Sequence, residues 1–170
     1  MKKLFVICIL SVITALVACS SPETDELVEY HNSYLEKVNP KLQEIDQLLV
    51  QSAQATTLED TYNLEKNEVK PLVDEVTQYI LNQKPETDVV KKLNKMRVEQ
   101  FKIWSDAFDS RLQALEVAMD KSENDPEVQN LMQQFEDKLG KATEIRKDAD
   151  KKFKEIADEY NVELTNQKNE

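Results

Sequence analysis

A single glycine, Gly140, serves the whole 170-residue chain, where average use is about 7%. Hairpins, tight turns and phosphate-cradling loops draw on glycine at positive φ, so its scarcity leaves helix as the default state. Cysteine is nearly as rare, with only Cys8 and Cys19. Both fall in the first nineteen residues, so no disulfide framework is expected and stability must come from apolar packing. There is one histidine, His31, and one tryptophan, Trp104. Basic residues are the minority, 22 against 33 acids, for a net charge of −11. That balance argues against nucleic acid and against anionic lipid headgroups as primary partners. It favours basic peptides or a basic protein face, and it also serves solubility.

What the chain does have begins at its first residues. Met1-Lys2-Lys3 precedes an apolar run from Leu4 to Ala18, which ends at Leu16-Val17-Ala18-Cys19. Charge, apolar stretch and small residues in that order form the layout of a secretory signal. The run is short of the roughly 20 apolar residues that a membrane span needs. Leu16–Cys19 resembles the lipobox of bacterial lipoproteins. The resemblance implies that residues 1–18 are removed and that Cys19 is acylated as the first residue of the mature chain. Residues 19–170 then form one domain of 152 residues with a charge near −13, a size that buries about 68–70% of its unfolded surface.

Four long helical patterns follow. The first begins near Pro22, capped by Ser20 or Ser21, and its stripe runs Leu27, His31, Tyr34, Val38, Leu42, Ile45 and Leu49. Pro40 should kink or break it near Asn39. The second begins after Thr56 or Thr57 and carries Leu58, Tyr62, Val69, Leu72, Val76, Tyr79 and Ile80, with Pro71 inside it. The third covers about Thr87 to Asp120, some 50 Å at 1.5 Å per residue, with Val90, Leu93, Phe101, Trp104, Phe108, Leu112, Leu115 and Met119 on one face. The fourth starts at Asp125-Pro126-Glu127, an aspartate cap followed by proline at the first helical position. It runs regularly from Val128 to Tyr160, with Gly140 in its interior, where a close neighbour or a bend would account for it. Residues from about Thr165 are polar and expected to fray.

Short connections predict an all-α fold, an elongated antiparallel four-helix bundle running up-down-up-down. Two long helical hairpins or a dimerising coiled coil are the alternative. With Ser20 and Ser21 alone between the lipid and the first helix, the loops near Thr56 and Asn124 point away from the membrane. The loop at Lys84 and the C-terminus point back towards it.

Candidates for chemistry are few. His31 has no second histidine and no free cysteine for a metal site, and it reads as part of a helix stripe. The run from Asp120 to Asp125 is reminiscent of a calcium loop, but it has Asp125 where glycine is needed and Leu131 where glutamate is needed. No cofactor or metal is expected, and no serine, cysteine and histidine constellation or phosphate loop assembles, so an enzyme is not expected. Phe101, Trp104 and Phe108 read first as core. Met96, Ile103 and Trp104 form the one candidate partner face. The signal and the Lys/Glu/Gln-rich helices together resemble the small helical lipoproteins of low-GC Gram-positive bacteria, some described as cell-wall-binding. That resemblance implies a non-catalytic binding or scaffold module, lipid-anchored on the extracytoplasmic face of the cell membrane and meeting a protein or cell-wall partner. A ligand- or ion-binding helical lipoprotein is the alternative.

Overall fold

The computed structural model describes residues 11–13, 21–162 and 164–166. The protein is all-α. Its core comes from α1 (Pro22–Lys37), α2 (Asn39–Ser52), α3 (Leu58–Leu64), α4 (Lys70–Leu81), α5 (Asp88–Asp120) and α6 (Pro126–Glu159), with a π-helical segment, Glu65–Val69, joining α3 to α4. Two three-residue strands, β1 (Ser11–Ile13) and β2 (Leu164–Asn166), pair antiparallel with Val12 opposite Thr165. β2 falls where the tail was expected to fray. Among the described residues, no helix is long and apolar enough to cross a membrane.

The caps follow the side-chain chemistry. Ser21 Oγ accepts from the Thr24 N–H at the start of α1. Thr57 Oγ1 accepts from the Asp60 N–H, Thr87 Oγ1 from the Val90 N–H, and Asp125 Oδ1 from the Glu127 N–H. Each satisfies one of the donors that every helix N-terminus leaves unpaired. The end of α6 is closed without glycine. Asn161 adopts a left-handed φ of 52°, Val162 donates its N–H to the Ala157 carbonyl at 2.8 Å, and Asn161 donates to the Asp158 carbonyl at 3.2 Å. This is a Schellman closure, and the buried Val162 supplies its apolar contact.

The first two helical patterns are each divided by their proline. Pro40 has no N–H and its ring crowds the preceding turn. The run between α1 and α2 is interrupted at Val38 alone, which stays right-handed at φ −99°, and backbone bonds Val38 to Tyr34 and Leu42 to Val38 carry the chain across. Pro71 is accommodated differently. The preceding turn widens to π geometry, with the Lys70 N–H bonded to the Glu65 carbonyl five residues back.

Four apolar clusters form the core. Leu27 meets Val90 and Leu93 of α5 and Ala149, Phe153, Ile156 and Ala157 of α6. Val38 meets Val76, Ile80 and Phe101. Ile45 and Leu48 meet Val69, Val73 and Phe108. Ala114 and Ala118 meet Val128, with Leu58 and Leu131 packed against them. Each fully buried Leu, Ile or Phe contributes about 1.5–3 kcal/mol over its exposed state. Gly140 lies on an exposed part of α6, and a Cβ built there meets nothing within 4 Å, so the expected close neighbour is absent. The helix continues unbroken through it.

Candidate functional site

The most distinctive polar chemistry lies inside the helical core. The π segment brings Glu65 fully inside the protein, at 0% exposure. Arg111 of α5 grips it with two bonds, Nε to Oε2 and Nη2 to Oε1, each 2.6 Å. Ser52 Oγ, at the end of α2, donates to Oε1 at 2.5 Å. The Arg111 guanidinium also sits 5.5 Å from the ring centre of Phe135 on α6. Residues from α2, the π segment, α5 and α6 therefore meet at one charged layer. A bidentate guanidinium–carboxylate pair fixes both distance and orientation. Removing Arg111 would leave the Glu65 carboxylate with an uncompensated burial cost.

A second layer lies two heptads back along α5. Arg97, buried, donates to Asp150 of α6 at 2.5 Å and to Gln100 at 2.9 Å, and its guanidinium sits 5.0 Å from the ring centre of Tyr34. Tyr30 of α1 donates to Asn94 at 3.0 Å, and burial pushes its phenol well above the usual range. The remaining arginine, Arg146, faces Asp46 electrostatically, while desolvation raises the Asp46 carboxyl despite that cation. Arg146 Nε is buried without a hydrogen-bond partner.

At the start of α1, Glu26 ties down the loop before α5. Its carboxylate accepts from the backbone N–H groups of Glu86 and Thr87 and from Thr87 Oγ1. Partial burial pushes this carboxyl up, but the hydrogen bonds, with help from the Lys91 charge, outweigh it and hold it below the usual range. Beside it is an open groove of about 480 Å³ lined by Asp25, Glu29, Tyr30, Ser33, Lys84 and neighbouring residues. None of these groups is a nucleophile paired with a base. Among the described residues, no three His, Cys, Asp or Glu side chains are grouped to hold a metal ion.

The residues singled out from sequence fall as follows. Cys19 lies outside the described residues. His31 stacks on Phe153 with ring centres 4.3 Å apart and planes 15° apart, joining α1 to α6. Asp125 caps α6, and Lys121 in the same turn bonds Glu127 at 2.6 Å. Phe101 and Phe108 are buried core, and Trp104 meets both edge-on, at 5.6 and 5.3 Å between ring centres. Of the candidate partner face, Met96, Ile103 and Trp104 are all half-buried. Met96 packs on the cluster around Leu27, whereas Trp104 bridges the clusters of Val38 and Ile45.

The buried arginine layers were missed in the sequence reading, although the pattern holds their trace. Val90, Arg97, Trp104, Arg111 and Ala118 recur every seven residues, so both arginines occupy core positions of α5. Glu65 likewise lies between Tyr62 and Val69 at helical spacing. Comparison with protein families, curated proteins and solved structures finds no match to this chain.

Proposed function

We propose that this chain is a membrane-anchored cell-envelope lipoprotein whose helical body is a non-catalytic binding or scaffold module on the extracytoplasmic face of the membrane. The observation that carries the reading is the Leu16–Cys19 tetrapeptide behind the apolar run from Leu4. Cys19 is the lipid attachment residue, and residues 1–18 leave with the signal, taking β1 with them. The helices form an elongated antiparallel four-helix bundle, with α1–α2 and α3–α4 each acting as one bent rod. Two sets of contacts support this arrangement. Near one end, Leu27 meets both Val90 and Phe153; near the other, Leu58 packs with Ala118 and Val128. The buried arginine layers then serve as register pins that select one packing over its alternatives.

A non-catalytic role is supported by the chemistry of the buried polar groups, since Glu65, Ser52 and Arg111 are spent on one another. The partner is a protein or a cell-wall component, not nucleic acid, given the acid surplus. The test is crosslinking from native membranes, with Cys19→Ala as control. One dominant partner lost in the control is expected. A variant that stays membrane-bound and is processed normally refutes the lipid anchor. An absence of any partner above background shifts the reading to ligand binding, for which thermal-shift screening at the groove beside Glu26 is the next assay.

A further inference from the structure

The acid surplus is not spread evenly along the helices. Residues 91–102 of α5 hold Lys91, Lys92, Lys95, Arg97 and Lys102 against a single acid, Glu99, in a chain whose net charge is −11. Arg97 is internal and paired with Asp150. The four lysines are exposed, and Lys91, Lys95 and Lys102 follow one another at steps of four and seven along one line of the helix. Among the described residues, lysines elsewhere divide between those without an ion pair, such as Lys141, Lys147 and Lys154, and those with acidic partners. Lys41 pairs with Glu75, Lys70 with Asp74 and Asp109, and Lys121 with Glu127. Lys91 has only Asp88, at 3.7 Å. Among the described residues, Lys92, Lys95 and Lys102 have no carboxylate within ion-pair distance.

This ridge begins where α1 begins. Leu27 packs on Val90 and Leu93, and Glu26 is bonded to Glu86 and Thr87 just before α5. Cys19 precedes the Ser21 cap by two residues, a tether of about 7 Å when extended. We propose that the lysine ridge of α5 lies against anionic phospholipid headgroups, so that the anchored body leans on the membrane through α5 and does not stand upright. The inference rests on the lipoprotein reading. An anionic leaflet attracts lysines held near its surface, and the attraction acts within a screening length of about 8 Å at physiological salt. Only a leaning body keeps Lys95 and Lys102 inside that distance. Exposed acids at the same end, Asp25 and Glu29 on α1 and Glu86 before α5, oppose contact through the α1 side.

The test uses the full lipidated chain in vesicles of phosphatidylcholine alone or mixed with phosphatidylglycerol. A brief amine-acetylation pulse is read lysine by lysine by mass spectrometry. Lys92, Lys95 and Lys102 are expected to label severalfold more slowly in the anionic vesicles, with the difference erased by high salt. Lys121, in the turn beyond α5, should label equally in both. Replacing the three with Lys92→Gln, Lys95→Gln and Lys102→Gln should leave vesicle flotation intact. It should also restore equal labelling at Lys91. Equal labelling of the wild-type ridge in both vesicle types, in protein that floats with them, overturns the proposal and leaves the anchor standing. Protein that floats with neither refutes the anchor and the leaning body together.

Discussion

Removing Arg111 should harm this protein more than removing Glu65, although the two share one ion pair. The asymmetry comes from burial: the Glu65 side chain is 0% exposed and the Arg111 side chain 24%. In Arg111→Met, the Glu65 carboxylate stays in a dry site with Ser52 as its one remaining side-chain donor. Breaking a buried pair in this way costs about 3–5 kcal/mol. In Glu65→Leu, the guanidinium keeps its contact with Phe135 and turns its polar edge to the water it already touches. The cost then falls towards the roughly 1–3 kcal/mol of a lost charged hydrogen-bond partner. The double variant Glu65→Leu/Arg111→Met leaves no buried charge and should lie much closer to wild type than Arg111→Met does. Urea unfolding of all four proteins, in a Cys19→Ala background, gives the cycle directly, provided the dependence on urea is unchanged. If Arg111→Met costs less than about 1 kcal/mol, or less than Glu65→Leu, the site is wetter than described and the reasoning fails.

Three further outcomes follow from other parts of the fold. Gly140→Ala adds a Cβ into open space on an unbroken helix, so it should stabilise by about 0.5–1 kcal/mol, seen as a raised Tm; destabilisation would mean that the site is crowded. Asn161→Ala should cost about 1 kcal/mol because alanine resists the left-handed φ that closes α6, whereas Asn161→Gly should cost less or nothing, and equal costs would refute the closure. Glu26 has a folded pKa held below its unfolded value, so it contributes stability above the unfolded pKa that is lost as pH falls through the folded one. Glu26→Gln should therefore flatten the loss of stability on acidification below about pH 4.5, and a variant with an unchanged pH profile would show that the Glu86–Thr87 cradle does not select the charged form.

The helices were legible in the sequence because local and global signals agree. Thr57, Thr87 and Asp125 announce three helix starts and are the observed caps. The stripes through Leu27 and Val38, and through Val90 and Phe101, are the buried faces. Prolines were legible as interruptions but not in kind. A proline removes one donor whatever follows, and whether the chain skips a residue at Val38 or widens at Glu65–Val69 depends on packing from other helices. The charged layers were hidden for a related reason. Glu65, Arg97 and Arg111 sit at core spacing, yet a charged residue at such a position is buried only if its partner lies opposite on another helix. One composition signal pointed that way: the chain has three arginines, Arg97, Arg111 and Arg146, among 22 basic residues. Arg97 and Arg111 both make interhelical ion pairs, and Arg111 grips Glu65 with the bidentate geometry that lysine cannot supply. Partner choice on α6 is likewise set by the neighbouring helix as well as by spacing: Asp150 is taken by Arg97 of α5, while Lys152 pairs with Glu155 on its own helix.

The proposed envelope role depends most on Cys19, and intact-mass analysis of the protein extracted from its native membranes tests that residue directly. The expected species begins at Cys19 and carries the mass of acyl chains on that residue, with Cys19→Ala giving neither the cleavage nor the added mass. A mature chain that begins at any other residue, or that lacks the acyl mass, would contradict the lipid anchor and the envelope role built on it.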